Sequence, residues 1–177
     1  HYRDGTQVKG HWHTYPEMAA AGLWTTPSDL ARFVIEIQKS RLGKSSRVLS
    51  AATINQMLTR QVGTFGLGLS LDGKERILRF GHGGADEGFQ AFLVGSVEGG
   101  QGAVVMANSE NGIRLANEII LGIAAEYGWP DHKPREEEKP PAARGEAAWQ
   151  WPQFRGPKAS GVSAAADIVT IGDGNAD

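Results

Sequence analysis

The stretch Gly81-His82-Gly83-Gly84-Ala85-Asp86-Glu87-Gly88-Phe89-Gln90 is the part of the chain best suited to chemistry. Glycines at 81, 83, 84 and 88 leave main-chain N–H groups open to close approach by another molecule. His82 is the only side chain of the ten able to change charge near neutral pH. Bare amides beside such a group suit a substrate-binding wall. A glycine-rich hairpin carrying an incidental histidine is the alternative.

Strands must hold this stretch in place. Four segments read as strands: Phe65 to Leu71, Arg76 to Gly81, Phe89 to Val97 and Gly102 to Asn108. The connections are short (Asp72-Gly73, Ala85 to Gly88, Glu98-Gly99-Gly100), which implies antiparallel neighbours. Thr26-Pro27-Ser28-Asp29 is a helix start, with Thr26 as cap and Pro27 at the first helical position. It predicts a helix over 27–40 with Leu30, Phe33, Val34 and Ile37 on its apolar face. A second helix is expected from Ser50 to about Thr59, burying Ile54, Met57 and Leu58. A third, over 110–127, should lie on the sheet through Ile113, Ala116, Ile120, Ile123, Ala124 and Tyr127. The expected fold is therefore α+β, an antiparallel sheet of about four strands packed by helices.

Two further stretches flank the glycine-rich one. Ala19-Ala20-Ala21-Gly22-Leu23-Trp24-Thr25-Thr26-Pro27-Ser28-Asp29-Leu30-Ala31-Arg32-Phe33 lies upstream, and Gly102-Ala103-Val104-Val105-Met106-Ala107-Asn108 downstream. In this order and spacing, roughly Tyr15 to Trp129 resembles the C-terminal half of the serine β-lactamase-like family. That family includes class C β-lactamases, penicillin-binding carboxypeptidases, D-aminopeptidases and esterases. The resemblance implies a partial β-lactamase-like (transpeptidase-like) fold, acyl-transfer chemistry on an ester, amide or peptide, and a periplasmic or extracellular setting. By the same resemblance, His82-Gly83-Gly84 stands where lactamases carry Lys-Thr-Gly. His82 would then face the catalytic tyrosine or the substrate carboxylate, and Ala85 would offer its N–H as the second oxyanion donor. Gly83 and Gly84 would let the acyl group lie along the strand edge, with Gly88 and Phe89 also at the substrate. Histidine in place of lysine favours an esterase or peptidase-like activity over antibiotic hydrolysis.

The attacking half of such a site is missing from the chain. No serine is followed three residues later by lysine, and no tyrosine is followed two residues later by asparagine or serine. There is no Gly-x-Ser-x-Gly elbow either. The expectation is a hydrolase part that is inactive alone; a non-catalytic binding module or a spacer in a larger protein is the other reading. A sheet cut from its full complement of strands should also have an open edge, which invites self-association or a partner.

Composition narrows the classes. The chain has 177 residues, 40% of them hydrophobic, a net charge of -2 and no cysteine. Nothing in this balance invites nucleic acid or an anionic membrane, and disulfides and thiolate metal sites are excluded. No apolar run is long enough to cross a bilayer, and the first residues carry no signal-peptide pattern. No cofactor is called for. Residues 1–15 read as extended, with His11 and His13 on one strand face, as metal ligands could be, although no third ligand is evident. The domain is expected to span 1–129, followed by a charged, proline-rich linker over 130–148. The tail, 149–177, carries Trp151-Pro152-Gln153-Phe154-Arg155-Gly156-Pro157, which resembles the opening of a quinoprotein-type β-propeller; a short aromatic tail docking on the preceding domain is the other reading. Its last five residues, Asp173-Gly174-Asn175-Ala176-Asp177, match the start of a calcium loop without its later ligands.

Overall fold

A computed structural model describes residues 1–74, 78–130 and 168–171. The elements are α1 (Met18–Ala21), α2 (Pro27–Arg41), α3 (Ala51–Met57), β1 (Ser70–Asp72), β2 (Arg79–Asp86), β3 (Phe89–Ser96), β4 (Gly102–Ala107), α4 (Gly112–Glu126) and β5 (Ile168–Ile171). The strands make one antiparallel sheet in the order β1-β2-β3-β4-β5. Helix α2 covers one face and α4 the other, so the fold is α+β as expected.

Helix α2 begins as its sequence dictates. Thr26 is extended, and its hydroxyl oxygen accepts from the Asp29 N–H at 3.1 Å. Val34 and Ile37 are buried as expected and Leu30 packs against the core, but Ala31 and Gln38 complete the buried stripe in place of Phe33. Phe33 is left 37% exposed. The small Ala31 faces inward because the helix packs close to the sheet, where a phenyl ring has no room. Gln38 is buried yet satisfied: its amide donates to the carbonyls of Ser96 at 3.0 Å and Gln101 at 2.9 Å. Those two bonds tie α2 to the β3–β4 turn. Val34, Ile37, Ile54, Leu71, Phe80, Leu93 and Val104 fill this side of the sheet.

The other side is thinner. Val94, Ala103, Ala124 and Trp129 form its buried centre, with Phe92, Ile120 and Ile123 packed around it. Of the face expected for α4, Ala116 and Ala124 are buried, while Ile113 and Tyr127 stand 39% and 58% exposed. The helix meets the sheet through Gly112, Ala116 and Ala124, with Ile120 and Ile123 packed alongside.

Two strands differ from expectation. Phe65 makes only isolated bridges, to Val62 and Ser70, and the chain turns at Gly68 (φ +74°), so β1 shrinks to Ser70–Asp72. Strand β2 runs on through Gly81–Gly84 to Asp86, because Phe89 to Ser96 pairs with it residue for residue. Only Glu87 and Gly88 remain as the turn. Strand β5, inside the segment expected as a tail, pairs along β4 from Gly102↔Ile171 to Val105↔Ile168. The rest of that segment, with the linker, the propeller-like phrase and the calcium-loop match, lies outside the described residues, as do 75–77.

Candidate functional site

The glycine-rich stretch lies where the sheet loses a strand. Strand β1 ends at Ser70, opposite Gly81. The Leu71 N–H points away from β2, donating to the Thr64 carbonyl at 2.7 Å. Its neighbours Ser70 and Asp72 therefore direct their main-chain groups toward β2, and the Ser70 hydroxyl also donates to the Gly81 carbonyl at 2.9 Å. Alternation along β2 then sends the main chain of Gly81, Gly83 and Ala85 to the β1 side, and that of His82 and Gly84 to β3. Past Ser70 no described strand lies on that side. Gly83 and Ala85 thus hold their N–H groups at an unpaired edge, with no hydrogen-bond partner among the described residues.

His82 stands at the head of this edge, exposed to solvent. Its Nδ1 lies 2.9 Å from the carbonyl oxygen of Gly68. A carbonyl can only accept, so Nδ1 carries the hydrogen and donates it. Nε2 is left facing outward, an acceptor in the neutral ring and a donor in the cation. The Gly68 turn that shortens β1 is thus also what orients this imidazole.

Side chains on the two faces of β2 meet different surroundings. His82, Gly84 and, by its register on β3, Phe89 share the α2 face. A Cβ added at Gly84 would meet nothing within 4 Å, whereas one at Gly83 would lie 3.2 Å from Cδ2 of Phe92. Phe89 meets Trp24 edge-on at a centroid distance of 6.0 Å, and Trp24 meets Trp12 likewise at 5.4 Å. Both indoles are more than half exposed. Trp24 was no sequence candidate: a tryptophan just ahead of a helix cap carries no periodic signal.

Gly88 does not join the edge. It is buried, at φ +79°, with the Val8 side chain occupying the space a Cβ would need. Its place is a pivot between the β2–β3 turn and the N-terminal segment. His11 and His13 also part company, because the chain turns between Val8 and His11, where His11 has φ +72°. His11 Nδ1 meets the Gln7 side-chain amide at 2.7 Å, and His13 reaches the turn.

That turn carries a polar cluster the sequence did not announce, since its members are distant along the chain. One Glu87 carboxylate oxygen accepts from the Tyr2 hydroxyl at 2.5 Å, and the other lies 2.7 Å from His13 Nδ1. The Glu87 N–H donates to the Tyr15 hydroxyl oxygen at 3.0 Å. The bond to Glu87, then burial and the negative charges of Glu87, Glu110 and Asp4, raise the Tyr2 phenol above its ordinary value.

A family model described as Beta-lactamase matches residues 1–128. The chain belongs to the beta-lactamase family. The matched region of this beta-lactamase-family chain takes in α1 to α4 and β1 to β4, with the edge and His82 inside it. The partial β-lactamase-like fold expected from sequence is the one found, and membership places the domain among serine-hydrolase-like proteins. No curated protein and no solved structure matches the chain.

Proposed function

We propose that this beta-lactamase-family chain supplies the oxyanion wall of a serine hydrolase acting by acyl transfer on an ester, amide or peptide. The attacking serine and its base come from sequence other than these 177 residues. One observation carries the reading: the Gly83 and Ala85 amides face an edge of β2 that β1 stops short of covering. A carbonyl laid along this edge would accept from the Ala85 N–H, whose fixed dipole stabilises the negative charge that grows on oxygen as the tetrahedral intermediate forms. The chemistry asks only for a main-chain amide, so the methyl of Ala85 is no obstacle. Gly84 leaves the face above the strand clear for the acyl group. His82, with Nδ1 engaged by Gly68, presents Nε2 to a hydroxyl or a carboxylate at the head of the edge. An imidazole lacks the permanent charge of a lysine ammonium, so it grips a permanent carboxylate less firmly. This favours an esterase or peptidase-like substrate over a β-lactam.

The test has two arms. Incubated with a chromogenic ester and with a fluorescent penicillin, the chain alone should give no turnover and no covalent adduct by intact mass. An acylated residue would overturn the division of roles. Titration with N-acetyl-D-alanine should move the amide resonances of residues 82–86 ahead of all others. Resonances at the edge that stay still would remove the oxyanion assignment.

A further inference from the structure

The end of β2 nearest the turn carries a carboxylate without a cation and an aromatic surface without a cover. Asp86 is half-buried, and by register it stands opposite Phe89 on the α2 face, two residues along from Gly84. Among the described residues the ion pairs are His13–Glu87, Arg32–Asp29 and Arg114–Glu118, so no cation answers Asp86. Taking a carboxylate part-way out of water without a partner costs free energy that a bound cation would restore. The neighbouring Glu87 is engaged on both oxygens, by the Tyr2 hydroxyl and by His13. The aromatic surface adjoins Asp86: Trp24 meets the Phe89 ring edge-on, and Trp12 meets Trp24 the same way. Trp24 is 62% exposed and Trp12 53%. Both are nevertheless held in place. The segment between them and the sheet is pinned at the Tyr15 hydroxyl, which accepts from the Glu87 N–H, and Trp24 stands two residues ahead of the Thr26 cap of α2. Adjacent indoles fixed with more than half their surface in water are the kind of patch that receives a ligand. An indole face attracts ammonium groups, and the Asp86 carboxylate adds to the same field. An uncharged apolar group would cover the rings and leave Asp86 unanswered.

We propose that Asp86, Phe89, Trp24 and Trp12 form a subsite for an alkylammonium group carried on the acyl part of the substrate. This placement rests on the oxyanion wall proposed above. With the carbonyl at the Ala85 N–H and the acyl group over Gly84, the acyl arm continues along the α2 face toward Asp86. Two residues of strand span about 7 Å, so the cation sits farther from the carbonyl than an α-amino group reaches. His82 stands at the other end of the edge, four residues from Asp86. The two ends of the cleft therefore select different groups, a hydroxyl or carboxylate at His82 and a cation at Asp86.

Tetramethylammonium chloride and neopentyl alcohol are close in size and differ in charge, and NMR of the full chain with each at matched ionic strength tests the subsite. Tetramethylammonium should shift the ring resonances of Trp24 and Phe89 saturably, and should bind about three- to thirtyfold more tightly than the alcohol. Asp86→Asn should remove most of that preference and leave the alcohol unaffected, whereas Trp24→Leu should weaken both. Rings that answer the alcohol as strongly as the cation, or a preference that survives Asp86→Asn, would overturn the proposal. The wild-type comparison decides even where a variant unfolds. Titration with N-acetyl-D-alanine reports on the oxyanion wall independently. An edge that responds while the rings show no preference for the cation overturns the subsite alone. Rings that take the cation beside a silent edge support the subsite and remove the wall.

Discussion

Gly95→Ala is the substitution on which the packing behind the candidate site can be judged most sharply. Gly95 lies on β3 opposite Phe80, under helix α2. A Cβ built there would sit 2.5 Å from Cζ of Phe80 and 2.8 Å from Cγ1 of Val34. Carbon atoms rest comfortably about 3.5–4.0 Å apart, so both neighbours would have to retreat by about an ångström. Neither has anywhere to go: Phe80 is 1% exposed and Val34 0%. Overpacking of this kind costs about 1–3 kcal/mol. Against it, alanine recovers about 0.5–1 kcal/mol over glycine by restricting the unfolded chain. Taking the middle of each range, the expected net loss is about 1 kcal/mol, read as a lower urea midpoint at unchanged slope. In a Phe80→Leu background, which removes the atom most closely met, the same substitution should cost less than half as much. A Gly95→Ala variant as stable as the wild type, or a penalty that ignores Phe80→Leu, would refute the reasoning.

Two further expectations concern the turn and the acid limb. Gly88→Ala should cost about 1–3 kcal/mol, because a side chain there meets both a left-handed backbone and Val8, while Gly84→Ala should stay within about 0.5 kcal/mol; parallel urea titrations decide, and equal effects would contradict the geometry. Glu36 accepts from the hydroxyl of Ser45, then from that of Ser40 and from the Arg47 N–H, and these hold its carboxyl below the ordinary value. A carboxyl depressed in the fold adds stability above its unfolded-state titration and loses it as pH falls through the lowered value. Glu36→Gln should therefore flatten the acid side of the stability profile, and an unchanged profile would exclude this staple.

Local chemistry was legible in the sequence. Thr26 caps its helix as expected, the second helix starts beside Ser50, and Ile54 and Leu58 are buried as the spacing predicts. The strands from Phe89 and Gly102 fall within a residue or two of their expected ends. What failed was what depends on a partner. The α2 face is set by how closely the sheet approaches, so Phe33 lost its place to Ala31. Gly83 and Gly84 lay beyond the strand expected to end at Gly81, yet β3 holds them in register as strand. At the site, the motif alone singled out His82 and Ala85 as candidates. The Glu87 cluster joins residues 2, 13, 15 and 87, and no local pattern announces such a meeting.

The unpaired edge at Gly83 and Ala85, taken as the substrate wall proposed above, bears on how preference could change. A recognition surface made of main chain presents the same groups whatever residue types occupy it, so substitution in place has little with which to alter preference. Selectivity in such a protein has to be rewritten from the borders, by exchanging side chains on the surrounding loops, while the chemistry in the middle stays constant.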